Sequence, residues 1–454
     1  MFDADTVDLI RKASPLEGLD LETLPDTLTQ AYALVVAARL GAVEPASEHW
    51  SSSVGQLRRL AETYEALTIF LPSGSPHREA CAFVAGSAHF TLNQLRRVRA
   101  REGELSLEPS LTTSSVAPEL AACLLFLIGE HQADAAEAAK EFRRQASPRI
   151  EHVLRGIGAL AAGDGEALSG YASTPVPHVA RDTHDYLELA AESLWARLAT
   201  AIRNLCLVSL GSEAEAPEVQ IDAVLRLLET SQTTIEVGEQ RYALSLALAG
   251  PYHLARLLRP AAHALLTARV VALPTPPAVD DREWRAFLAR YAARRPFLWQ
   301  NHRSALARGL LTGGRSFALT FPTGAGKTTL SELRVGTEIL RGRGVVFLAP
   351  TRALVDQISA DLSAALQPLG SEVVRDRFLE DFGEQPEAKV FVQTPEQCLA
   401  YLAHDRVHHT EIGLVVVDEF HTLSGTVNRG QYGLAEMPSS RAVDAVWSLL
   451  VLLE

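Results

Sequence analysis

Residues Phe321–Leu330 read FPTGAGKTTL, and the class of the carboxyl-terminal part follows from them. The apolar run Phe317–Phe321 leads into this stretch and reads as a strand. TTLSELRVG, which follows, opens a helical pattern. A glycine-rich loop between strand and helix turns backbone N–H groups towards phosphate oxygens, and the helix N-terminus adds a favourable field. Thr323, Gly324, Ala325, Gly326, Lys327, Thr328 and Thr329 are the candidate cradle. In such a loop the lysine reaches the β- and γ-phosphates and the following hydroxyl binds Mg2+. Lys327 and Thr328 take those roles, and ATP is the implied ligand. Lysine occurs elsewhere only at 12, 140 and 389, and every other basic residue is arginine. Chance would produce Gly-Lys-Ser/Thr about 0.03 times in a chain of this composition.

A second strand end carries acids. Leu414–His421 reads LVVVDEFH, so the run Leu414–Val417 delivers Asp418 and Glu419 at its carboxyl end. Asp418 is placed to hold Mg2+, and Glu419 to polarise an attacking water as general base. Acids also follow buried strands at ordinary turns, so this pair gains its weight from the phosphate loop. Val345–Ala349 and Val390–Gln393 are further short apolar runs of the kind buried on both faces of a parallel sheet. Segments such as TRALVDQISADLSAAL supply the crossover helices. Residues 282–454 therefore read as an α/β, P-loop domain with a mainly parallel sheet, its ligands beyond the carboxyl ends of the strands.

Upstream the character changes. LPTPPAVDD, residues 273–281, reads as a Pro-rich linker. Residues 1–272 are rich in Ala, Leu, Arg and Glu with apolar residues at three- and four-residue steps, and read as an α-helical domain. Its strongest apolar run, Leu120–Ile128, is far shorter than the roughly 20 residues a membrane span needs. The acidic start MFDADTVDLI does not suit a signal peptide. Acids outnumber bases 55 to 42, for a net charge of −13. That disfavours a protein that coats nucleic acid by general basicity and leaves room for a local basic groove. Four scattered cysteines with no CxxC pair disfavour a disulfide scaffold or a zinc ribbon and suit a reducing, cytoplasmic setting.

Five segments in order resemble the motifs of the superfamily-2 DExH/DEAD-box helicases. They are FLWQ (Phe297–Gln300), FPTGAGKTTL, APTRALVDQ (Ala349–Gln357), TPEQ (Thr394–Gln397) and DEFH (Asp418–His421). The resemblance covers 297–454 and leans towards the subgroup of archaeal repair helicases and RNA-exosome helicases. It implies a first RecA-like domain in which Gln300 contacts adenine. Thr351, Arg352, Thr394 and Pro395 would face the backbone of single-stranded DNA or RNA, and His421 would couple hydrolysis to strand movement. Phe321 departs from the family, which has Gly or Ala there. APTRAL and TPEQ also have a plain structural reading, as a strand end before a capped helix and as a common helix start.

The family continues with a second RecA-like domain, which the rest of a full-length chain or a partner subunit would supply. One such domain alone is expected to hydrolyse ATP poorly. The function implied is an ATP-dependent helicase or translocase, with phage defence or DNA repair as the setting suggested by its long helical extension. The alternative is a nucleotide-controlled signalling or scaffold protein whose helical domain binds a protein partner. Strand-contacting segments such as APTRAL and TPEQ argue against a pure switch.

Overall fold

The computed structural model describes residues 21–41, 50–103, 106–144, 147–177, 186–229, 233–237, 240–244, 248–321, 326–369, 373–374, 390–403 and 412–419. Two compact units form, one from Met1–Ala272 with Arg295–Trp299, the other from Leu273–Arg294 with Gln300–Glu454.

The first unit is built from α1 (Leu24–Gly41), α2 (Trp50–Phe70), α3 (Pro76–Arg101), α4 (Pro118–Ile128), α5 (Gln132–Ala139), α6 (Pro148–Ala162), α7 (Gly165–Ala172), α8 (Tyr186–Ser209), α9 (Pro217–Glu229) and α10 (Ala249–Ala268). The apolar run seen in the sequence is α4, with every residue from Glu119 to Ile128 buried. A helix that is apolar on all sides belongs inside a core, and here the others wrap it. Gly86 of α3 permits a close approach: a Cβ there would lie 3.0 Å from the Phe126 ring. An antiparallel hairpin, β1 (Thr233–Val237) and β2 (Gln240–Leu244), interrupts the helices. The reading of 1–272 as helical did not anticipate it, although TTIEV and QRYAL flank a two-residue Gly-Glu link, a recognised hairpin signal.

One buried ionic group ties three of these helices. Glu65 of α2 is 1% exposed. Its carboxylate meets His89 Nε2 of α3 at 2.7 Å and His253 Nε2 of α10 at 2.5 Å. Burial pushes the Glu65 carboxyl up, but His253 and His89 together outweigh it and hold the group well below the ordinary carboxylate range. All four cysteines are free and buried, and burial pushes the Cys81, Cys206 and Cys398 thiols up to about 12.

The second unit begins within the Pro-rich stretch. Arg341 Nη2 donates to the Pro277 carbonyl at 2.9 Å, so this segment lies against the unit. Helix α11 (Asp281–Ala292) starts where the Asp280 side chain accepts from Arg282 N and Glu283 N. It buries Trp284, Phe287, Leu288 and Tyr291, one helical face. Phe287 enters a notch at Gly336 of α13 (Lys327–Leu340), where a Cβ would stand 2.6 Å from the ring. Beside it the Tyr291 hydroxyl donates to the buried Glu332 at 2.5 Å.

Among the described residues the sheet has four parallel strands, β3 (Gly344–Leu348), β4 (Val373–Val374), β5 (Val390–Gln393) and β6 (Ile412–Val417), in the order β4–β5–β3–β6. Helix α14 (Arg352–Leu366) follows β3, and α15 (Pro395–Ala403) follows β5. Three of the four expected strands are present. The fourth, Phe317–Phe321, is irregular and largely exposed. Its Leu319 and Phe321 side chains pack onto Ala305, Leu310 and Leu330 instead, so its apolar residues serve a small helical core rather than a ladder. Residues Arg295–Trp299, read from the sequence as part of the α/β domain, group with the helical unit. Val270 N donates to Pro296 O at 2.8 Å, and Leu298 N to Ala268 O at 2.6 Å.

Candidate nucleotide and nucleic-acid site

Register brings the predicted loops together. Leu348 of β3 is paired with Gln393 of β5 on one side and with Val417 of β6 on the other. The three strands therefore end in one row, and the segments after them, at Thr351–Arg352, Thr394–Pro395 and Asp418–Glu419, leave the same edge of the sheet. The chain visits β5 on one side of β3 and β6 on the other, so β3 marks the switch point where open α/β sheets hold ligands.

Helix α13 brings Gly326 and Lys327, the described end of the predicted phosphate loop, to this edge. It is joined to β3 by Arg341–Arg343 alone and so runs back along the strand. Its carboxyl-terminal Glu338 lies close to Gly413 at the start of β6, which places that helix end at the amino edge of the sheet. With 14 residues and a length of about 21 Å, the helix carries Lys327 to the opposite edge. Gly326 caps it at φ 83 and ψ 26, a left-handed conformation that glycine adopts without penalty. Lys327 is half-buried and Thr328 exposed, while the Thr329 side chain is buried and its N–H donates to Gly326 O at 3.1 Å. Of the predicted cradle, Thr323, Gly324 and Ala325 lie outside the described residues.

Asp418 and Glu419 form the turn after β6, both half-buried. Asp418 N donates to Leu348 O at 2.9 Å, which extends the β3–β6 ladder into the turn and fixes the first acid. Glu419 then takes φ 49, one of three positive-φ residues other than glycine among those described. Such conformations cost of order 1 kcal/mol and concentrate at functional turns. His421 lies outside the described residues.

The predicted strand-contacting residues divide. Thr351 and Arg352 are exposed at the start of α14, and the Thr351 hydroxyl also accepts from Leu354 N at 3.3 Å. Thr394 and Pro395 are largely buried. Thr394 and Gln397 form a capping box: the Thr394 N–H and hydroxyl each donate to Gln397 Oε1 at 3.2 Å. The group exposed at that helix start is Glu396. Gln300 opens α12 (Gln300–Ala307) and is exposed. Two residues on, His302 is buried, with its ring against Gly326. The sequence did not single it out. A polar residue on the apolar face of a short helix just before the phosphate loop was the available signal.

Comparison with known proteins agrees with this geometry. Residues 300–440 match the DEAD/DEAH box helicase family. ATP-dependent DNA helicase Hel308 of Thermoplasma acidophilum is 28% identical over 150 residues, covering 32% of this chain and 21% of that protein. Probable ATP-dependent DNA helicase HFM1 of Xenopus tropicalis is 30% identical over 132 residues, 27% of this chain and 10% of that protein. The Hel308 of Methanocaldococcus jannaschii is 23% identical over 137 residues, 28% of this chain and 11% of that protein. The matched part thus spans between a tenth and about a fifth of these relatives. Among the described residues no helix is long and apolar enough to cross a membrane. With the α13 start, the acidic turn and the strand ends on one edge, residues 300–440 match the DEAD/DEAH box helicase family and have its RecA-like fold.

Proposed function

We propose that this chain contributes the ATP-binding half of an ATP-dependent DNA helicase or translocase. The observation that carries the reading is the shared row of strand ends at Leu348, Gln393 and Val417. It gathers residues suited to phosphate, to water activation and to a nucleic-acid backbone along one edge. Lys327, on the first turn of α13, neutralises charge on the β- and γ-phosphates. The N–H groups of that turn, capped by Gly326, donate to the same oxygens. Thr328 and Asp418 are oxygen donors of the kind Mg2+ prefers, and the ion bound there would offset phosphate charge. Glu419 orients and deprotonates the attacking water. Gln300 reads the base from α12.

Along the same edge Arg352 and Thr351 touch the sugar–phosphate backbone, which positions a strand without reading its sequence. Thr394 and Pro395, both buried, shape the α15 turn, whose backbone is the part that reaches a strand. The relatives named above are DNA helicases, which favours DNA over RNA as the polymer. A second RecA-like domain, from the rest of a longer chain or from a partner subunit, closes on this edge to complete the hydrolytic site.

The test is ATP hydrolysis in the assembly containing that second domain, with and without single-stranded DNA. The expected result is strong stimulation by DNA. Lys327→Ala is expected to lower the stimulated rate by roughly a hundredfold or more, in line with the loss of one preorganised charge contact. Unchanged hydrolysis in Lys327→Ala, or nucleotide binding with no response to any polynucleotide, would overturn the reading. The second outcome would favour a nucleotide switch that acts through the helical unit.

A further inference from the structure

Helix α12 carries more than Gln300. At i and i+3 it buries His302 and Ala305. Ala305 packs with Leu310 and with Leu330 of α13, and Leu306, Leu319 and Phe321 close the group. His302, 5% exposed, extends this contact to the start of α13. Its polar edge meets the backbone of Gly326: a Cβ at 326 would lie 2.0 Å from Nε2 and 2.6 Å from Cε1, but 3.2 Å from Cδ2. The imidazole thus occupies the space that any other side chain at 326 would need. A buried polar ring between two helices carries a desolvation cost that an aliphatic residue would avoid. Packing alone therefore does not account for histidine at this position.

We infer that His302 is a positioning residue for Gly326 and the first turn of α13. Its ring braces Gly326 in the left-handed conformation and so sets where the first-turn N–H groups of α13 point. Because His302 and Gln300 are two residues apart on one short helix, the adenine contact and the phosphate cradle are held by the same rigid piece. A shift of α12 on binding the base is passed directly to the residue that caps α13. The inference rests on the reading that this loop binds nucleotide phosphates.

Two variants of similar size separate positioning from packing. His302→Leu fills the site with an apolar group and His302→Gln keeps a polar edge. For each, with wild type and Lys327→Ala alongside, the 454-residue chain is titrated with Mg-ADP by calorimetry, and its unfolding temperature is measured without nucleotide. The expected result is a roughly tenfold loss of ADP affinity in His302→Leu, about 1.4 kcal/mol. Its nucleotide-free unfolding temperature should stay close to wild type, and His302→Gln should recover most of the affinity.

Wild-type ADP affinity in His302→Leu would overturn the inference, because a packing residue is replaceable by leucine. Equal affinity loss in the leucine and glutamine variants, with a matching fall in unfolding temperature, would also overturn it. If wild type bound ADP and only Lys327→Ala failed to, the proposed function would stand and this inference would fall. If wild type bound no ADP, both would fall.

Discussion

Among single residues, Glu419 combines a conformational cost with the chemical role proposed for it. Its φ of 49 places a side chain where glycine would be at ease. Glu419→Gly should therefore relieve strain of order 1 kcal/mol. The same change removes the group assigned to water activation. The expected outcome is a chain that unfolds at the same or a slightly higher temperature and binds ATP, while the assembly with the second domain no longer hydrolyses it. Paired thermal unfolding and single-turnover hydrolysis check this, and a large loss of stability would show that the turn needs the carboxylate for folding. Gly326 is the mirror case. There the sequence showed the glycine, and only the structure shows the neighbour that forbids a Cβ.

At the level of elements, the Glu65 group makes a prediction for acid stability. Its carboxyl sits below the ordinary value of 4.5 in the folded chain, so its contribution is complete above that value. As the pH falls below 4.5 the contribution declines, and it is gone once the pH passes the depressed folded value. Glu65→Gln leaves the buried His89 and half-buried His253 imidazoles facing an amide, and should cost about 1–3 kcal/mol near neutrality. The gap between variant and wild type should narrow only below about pH 4.5, as urea unfolding across pH would report. A constant gap down to pH 2 would contradict the arrangement.

Elements also show what the sequence could convey. Val345–Ala349, Val390–Gln393 and Leu414–Val417 matched strands because short runs buried on both faces have few other uses. Phe317–Phe321 has the same pattern and is not a strand, because Leu319 and Phe321 find partners in Ala305, Leu310 and Leu330. An apolar run signals burial, and only tertiary contact decides against what. TPEQ illustrates the same limit. Its order among the motifs points to strand contact, and what the structure adds is a Thr394–Gln397 capping box with Thr394 and Pro395 buried, which the order of motifs does not encode.

Over the whole molecule, the sequence conveyed the contrast between a helical part and an α/β part more clearly than the place where one ends. Composition changes at the Pro-rich stretch, and the reading followed it. Contacts follow the backbone pairing of Arg269–Val270 with residues 296–298, which composition does not encode. The helicase family of residues 300–440 was legible because its motifs are short and ordered, and the candidate site was proposed from them. His302 was not, because its significance is a distance to Gly326.

The return of Arg295–Trp299 to the helical unit has a practical corollary for anyone who cuts this molecule. A protease that nicks the backbone once between residues 273 and 281 would sever the covalent link at its most obvious point. The downstream fragment would still hold residues 295–299, whose Phe297 and Leu298 are buried with partners from the upstream fragment. The two pieces should therefore co-elute on a sizing column and separate only in denaturant. Expressed from residue 273 onward, the ATP-binding part should instead expose that apolar segment and aggregate, a fate that a start at Gln300 would avoid only by giving up α11 and its buried Trp284, Phe287 and Tyr291.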